Sequence, residues 1–161
     1  MTLIHKSIYS FLCILFFLGS LLHAQDRRRI EIEYAPFMTF DESNPDATIL
    51  TRDNSKQVHI KHEGIELWCD EAIYYGKQDF IEAYGKVHVK QGDTINMTSK
   101  YVEYSGKTQL AFASGSVVLK EPSSVLTTDT LYFDRVKQQA FYRSYGKVVR
   151  DTSGTITSTI G

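Results

Sequence analysis

Residues 85–117 read GKVHVKQGDTINMTSKYVEYSGKTQLAFASGSV, and this stretch decides the fold. It opens on Gly85-Lys86-Val87, closes on Gly115-Ser116-Val117, and the same unit returns as Gly146-Lys147-Val148. The interval is about 30 residues. Lys77, Lys107 and Lys137 keep the same beat, and Tyr74, Tyr104 and Phe133 each close a short apolar run at matching points. A fixed period of this length marks a supersecondary unit that cannot bury its apolar face alone, so neighbouring units must stack.

Within the unit, Val87 and Val89 alternate with Lys86, His88 and Lys90, which is the period of a strand. Gln91-Gly92-Asp93 reads as a turn, residues 95–99 alternate again, residues 101–104 follow, and Ser105-Gly106-Lys107 is a second turn. Residues 110–114 form the last strand of the unit and run into Gly115. The pattern predicts about three short strands per repeat, antiparallel, with turns at Gly76-Lys77, Gly92-Asp93, Gly106-Lys107 and Pro122-Ser123. No window carries a helical stripe, which argues against a parallel α/β sheet.

Parity adds a bend. Leu67, Met97 and Leu126 are equivalent positions, as are Ala72, Val102 and Leu131. The two sets stand an odd number of residues apart, so in a flat strand they would face opposite sides. A bulge or corner is expected near residues 69–71, 99–101 and 128–130, folding the sheet over on itself.

The flanks read differently. Residues 1–24 look like a secretory signal peptide: His5 and Lys6 precede an apolar run over residues 8–22 that is short for a membrane span, and the cut is expected before Gln25. Residues 25–54 read as an N-terminal strand and loop, with Arg27-Arg28-Arg29 a solvated leader or a contact for anionic headgroups, and residues 36–53 the loosest part. Residues 55–161 are the repeat domain. Its first copy is degraded, with Lys56-Gln57 in place of the glycine pair, as expected of a capping unit. Residues 155–160 alternate like a strand and leave a unit unfinished, so the expectation is missing downstream sequence or an edge that pairs with another chain. A net charge of −1 at pH 7 gives no electrostatic footprint for nucleic acid. With the leader removed, Cys69 stands alone and no internal disulfide is available.

Candidate chemistry is sparse. His59 and His62 are three apart and point to opposite faces, which suits surface histidines better than a metal pair. Asp70 aligns with Asp129, but Lys100 fills the slot between, so Asp70 and Glu71 read as solvent-facing. Cys69 aligns with Ser99 and Thr128 and reads as packing. The 10 tyrosines and 9 phenylalanines follow the strand period and read as core or groove lining. No catalytic constellation, metal set or cofactor motif emerges, so an enzyme is not expected.

The repeats Ile81-Glu82-Ala83-Tyr84-Gly85-Lys86-Val87 and Ala111-Phe112-Ala113-Ser114-Gly115-Ser116-Val117 resemble the LptA/OstA-like family of periplasmic lipopolysaccharide-transport and organic-solvent-tolerance proteins. Asp70-Glu71-Ala72-Ile73-Tyr74 and Asp129-Thr130-Leu131-Tyr132-Phe133 match its second motif, from which Lys100 departs. The resemblance covers about residues 55–150 and leaves room for a larger OstA-like protein of which this is the N-terminal part. It implies an all-β, repeat-built antiparallel β-jellyroll, bent like a taco, with an apolar groove that shields acyl chains. It also implies a location in the periplasm, with outer-membrane association as an extension. Its implied partners are lipopolysaccharide, other transport proteins of the inner and outer membranes, and an edge-to-edge homo-oligomer.

On that reading acyl tails lie against Leu67, Met97, Val102, Val117, Leu126 and Leu131. Ala72, Tyr74, Val87, Tyr104, Phe133 and Val148 complete the apolar lining. Lys77, Lys107 and Lys137 meet headgroups at the rim. The competing expectation is a structural β-solenoid or adhesin segment with a packed interior and no lipid ligand.

Overall fold

The computed structural model describes residues 29–151 and 154–161. The expected signal peptide, Arg27 and Arg28 therefore lie outside the described residues. Thirteen strands and no helix occur among the described residues, and they join into one antiparallel sheet. In chain order they are β1 (Glu31–Tyr34), β2 (Phe37–Phe40), β3 (Ala47–Thr51), β4 (Val58–His62), β5 (Ile65–Cys69), β6 (Glu71–Tyr75) and β7 (Phe80–Gln91). Then come β8 (Ile95–Ser105), β9 (Leu110–Glu121), β10 (Ser124–Asp134), β11 (Gln139–Phe141), β12 (Gly146–Arg150) and β13 (Gly154–Ser158). The four turns expected from the sequence fall between consecutive strands.

The repeat is built from two long bent strands, not three short ones. Gly85-Lys86 and Gly115-Ser116 do not begin strands; they sit inside β7 and β9, with φ of 70° and 43°, and of 80° and 57°. Two consecutive left-handed residues break the pleat without ending the strand. The pairing of β7 with β8 jumps from Tyr84↔Tyr101 to Val87↔Ser99, so Gly85 and Lys86 together oppose Lys100. The same jump in β9 against β10 sets Gly115 and Ser116 against Asp129. The inward positions stay odd-numbered through the corner in β7 and β9 (Ile81, Ala83, Val87; Ala113, Val117, Leu119) and switch parity in β8 (Met97, Ser99, then Val102, Tyr104) and β10 (Thr128, then Leu131), so both halves of each long strand bury the same face.

Glycine is required at the corner by what lies across it. A Cβ on Gly85 would stand 2.9 Å from the Asp70 carboxylate, and one on Gly115 2.9 Å from Lys100 Cβ. Asp70 is therefore not the solvent-facing residue expected. Its carboxylate pairs with Arg52 Nε at 3.2 Å and accepts from Gln57 Nε2 at 3.1 Å while its side chain covers the glycine.

The corners divide the sheet into two facing walls. The first holds residues 80–84, 101–105, 110–114 and 130–134, extended by β6, β3 and β2 on one side and by β11 on the other. The second holds residues 87–91, 95–99, 117–121 and 124–128, extended by β5, β4 and β1 on one side and by β12 and β13 on the other. Across the first wall one inward row runs Leu50, Ala72, Ala83, Val102, Ala113, Leu131. Across the second another runs Leu67, Val89, Met97, Leu119, Leu126, Val148, Ile156. Burial in the second row declines along the chain: Leu67 is 4 % exposed and Ile156 53 %.

Two expectations are corrected here. Residues 36–53, read as loose, contain β2 and β3, and β3 pairs with β6 and carries the fully buried Leu50. Many aromatics lie outside the fold's interior. Tyr84, Tyr101, Phe112, Tyr132 and Phe141 make a chain of ring contacts across the outer face of the first wall, tilted or edge-on except for the stacked Tyr132–Phe141 pair, with ring centroids 4.9–6.4 Å apart. Aromatic neighbours on adjacent strands stabilise the pairing beneath them.

The corner geometry is open to a direct test. Gly85→Ala is expected to lower unfolding free energy by about 2 kcal/mol, combining left-handed strain with the Asp70 clash. Gly92→Ala, at φ 54° with nothing within 4 Å of the added carbon, serves as the strain-only control. Equal urea midpoints for the two variants would show that the corner imposes no packing requirement.

Candidate functional site

Where the walls diverge from the corner they leave a narrow groove of about 70 Å³ that opens to solvent at its mouth. Ile60, Ile65, Leu67, Val89, Met97 and Leu119 face it from the second wall. Ile81, Val102, Tyr104, Ala113, Leu131 and Phe133 face it from the first.

The expected site residues separate by distance from the corner. Leu67, Met97, Val102, Tyr104, Leu131 and Phe133 line the groove. Ala72, Val87 and Val117 lie in the closed core, each no more than 1 % exposed. Val87 and Val117 directly follow the left-handed pairs, where the two walls meet and no space remains. Tyr74 and Leu126 pack against the core while partly exposed. Val148 continues the second wall's row, half-buried. The sequence reading missed Ile60, Ile65, Ile81, Val89, Ile95, Ala111, Ala113 and Leu119 as lining. Their parity matches that of the residues identified, so the signal was present.

Polar groups gather along one stretch of the mouth. His62, read as a surface histidine, is 3 % exposed, and its Nδ1 is hydrogen-bonded to the Tyr104 hydroxyl at 2.7 Å across the two walls. It shares inward parity with Val58 and Ile60 on β4. His59 points outward, as expected, and stacks on Trp68. Burial pushes the Tyr104 hydroxyl up to about 12, with Arg135 pulling the other way. Arg135 Nη1 donates to Glu63 Oε2 at 2.9 Å, and Gln109 Nε2 donates to the same oxygen at 2.8 Å. These contacts tie the β4–β5 turn of the second wall to two turns of the first. The hydrogen bond from Arg135 holds the Glu63 carboxyl below the usual range. Beside them Ile30 N donates to Asp79 Oδ1 at 3.0 Å, and Arg29 Nη2 donates to Gly76 O at 2.8 Å.

The three rim lysines sit on successive turns at the free edge of the first wall. Lys107 Nζ donates to Lys77 O at 2.6 Å, and Lys137 Nζ pairs with Asp134 at 3.1 Å. Among the described residues no group of three or more His, Cys, Asp or Glu is placed to hold a metal ion. Cys69 is buried in the core, and its thiol is pushed up to about 12, chiefly by desolvation.

Comparison with known proteins gives three results. The family described as OstA-like protein matches residues 27–161. No curated protein sequence matches the chain. Among solved structures, the chain is similar to LptH from Pseudomonas aeruginosa, described as the LptA-homologous periplasmic component of a lipopolysaccharide transport device. The TM-score is 0.59 at 10 % identity, over 70 % of this chain and 80 % of that one. At that identity the likeness establishes the fold: a bent, LptA-like antiparallel β-jellyroll.

Two measurements probe the chemistry just described. Glu63, Asp53 and Asp134 all have carboxyls lowered by hydrogen bonds that favour the charged form. A lowered folded pKa contributes stability that is present above the unfolded value and is lost as pH falls through the folded one. The urea midpoint should therefore hold steady from pH 7 to about 5 and fall below about pH 4. Stability that rises on acidification would contradict the assignment. Separately, Cys69 should resist a thiol reagent at pH 8 in the native protein and react once the protein is unfolded in urea.

Proposed function

The chain belongs to the OstA-like protein family, and from that premise we propose that it binds lipopolysaccharide by its acyl chains and shields them during transport through the periplasm towards the outer membrane. The observation that carries the reading is the narrow apolar groove of about 70 Å³, open at its mouth, between the walls of a sheet shaped like that of LptH.

The mechanism is passive. Each methylene moved from water into the groove gains about 0.8 kcal/mol, so affinity grows with chain length and needs no catalytic group. Val102 and Leu131 form the floor, while Phe133, Ile95 and Val89 are half-buried and reachable from the mouth. Headgroup phosphates would remain in water beside Lys77, Lys107 and Lys137. The outer edges of β1 and β13 each lack a strand neighbour among the described residues. They supply the sites where other transport proteins, or a second copy, would extend the sheet. The protein so read is a carrier with lipid and protein partners, not an enzyme.

Fluorescence of N-phenyl-1-naphthylamine reports occupation of the groove, and lipopolysaccharide should displace it. Phe133→Glu should leave the circular dichroism spectrum unchanged and weaken uptake at least tenfold, because a carboxylate at the mouth remains solvated but repels an acyl chain. Val102→Glu, at a position 2 % exposed, should unfold the domain instead. In cells, a photocrosslinker at Val89 or Leu126 should capture lipopolysaccharide, and one at the outward-facing Val118 should not. Equal capture from inner and outer positions would refute the groove as the binding site.

A further inference from the structure

The groove's mouth is not uniform. Along the β1–β4 edge of the second wall, four residues in two adjacent pairs reach across to the first wall. Arg29 and Ile30 run into β1 and meet Gly76 and Asp79. His62 ends β4, Glu63 follows it in the turn, and the two meet Tyr104, Gln109 and Arg135. This seam touches three successive turns of the first wall. Towards the other end, the turns around Gly92 and Pro122 are exposed, and the inward row rises to the exposed Ile156.

An amphiphile with its tails in the groove must keep its headgroup in water, so the headgroup travels along the slot between the two free edges. A bridge across the slot stops it. We propose that the seam is a latch, held shut by the Glu63–Arg135 pair, and that a headgroup-bearing chain passes the β1–β4 end of the groove only when the latch opens. This rests on the lipid-shielding reading above. The pair is suited to reversible closure. The Glu63 side chain is 30 % exposed and that of Arg135 12 %, so water reaches the carboxylate and the pair is not locked in a dry core. Glu63 also sits on a left-handed residue, φ 45°, in the two-residue turn between β4 and β5. The apolar lining beneath is continuous past the seam, since Ile60, Ile81 and Tyr104 belong to the same groove as Leu119 and Phe133. The seam therefore covers usable groove instead of ending it.

The test uses the full chain carrying Cys13→Ser, with buried Cys69 left in place, and Glu31→Cys with Thr108→Cys as attachment points on the two edges. Nitroxide labels on these thiols should give one short, narrow distance distribution by electron resonance. Glu63→Gln should broaden it towards longer distances, and Glu63→Arg combined with Arg135→Glu should narrow it again. Release of N-phenyl-1-naphthylamine should be about five-fold faster in Glu63→Gln, the scale of an exposed ion pair. Release should slow when a short bismaleimide joins the two introduced thiols. An unchanged distance distribution in Glu63→Gln would overturn the latch, as would release indifferent to the bismaleimide. A wild-type protein that takes up no probe would sink the lipid-shielding reading alone, and the distance measurement would still decide the latch.

Discussion

Everything in this fold depends on a pair of left-handed residues in the middle of a strand. Gly85-Lys86 and Gly115-Ser116 insert one extra residue against a partner that has only one, and the pleat changes phase. Without that phase change, β8 and β10, whose inward residues change parity between Ser99 and Val102 and between Thr128 and Leu131, would place one half of their apolar side chains inside and the other half in water. With it, one continuous strand supplies two facing walls. The long strands need no interruption of their hydrogen-bond ladder beyond the bulge itself.

The shape of the cavity follows from which residues flank the corner. Alanines at positions 72, 83 and 113 let the walls approach closely near the fold, and Val87 and Val117 fill what is left. Further out, Leu67, Met97 and Leu119 on one wall face Tyr104 and Phe133 on the other across an opening they do not close. The sheet tapers from a packed apex to an unfilled mouth, so one apolar face serves as core at one end and lining at the other. The hydrophobic term that stabilises the fold and the one that would hold an acyl chain are the same term, applied at different depths.

Much of this was legible in the residues. The 30-residue beat, the turns and the odd spacing between Met97 and Val102 were enough to expect stacked repeats and a corner. The division of site residues into core and lining was not legible, because Val117 and Leu119 share parity and differ only in distance from the corner. The β2–β3 hairpin was missed because its place is set by pairing with β6, a partner distant in sequence whose selection leaves no local mark. Tyrosine and phenylalanine misled for a related reason. Period two assigns residues to two faces but does not say which is inner, and Tyr101 and Phe112 meet edge to face on the outside. His62 could have been placed inward from Val58 and Ile60, but its contact with Tyr104, 42 residues away, could not.

The inward rows run at right angles to the strands, which ties the dimensions of the groove to separate parts of the sequence. Its cross-section is fixed at the corner, by the left-handed pairs at Gly85 and Gly115 and the small residues beside them. Its length is a count: each repeat of two strands adds about 10 Å along the row. Tandem duplication of a 30-residue segment would thus lengthen the conduit while leaving its bore unchanged, with no new packing problem to solve except at the junction. A protein of this design can be scaled by copying, and its reach can evolve independently of the width it offers to a guest.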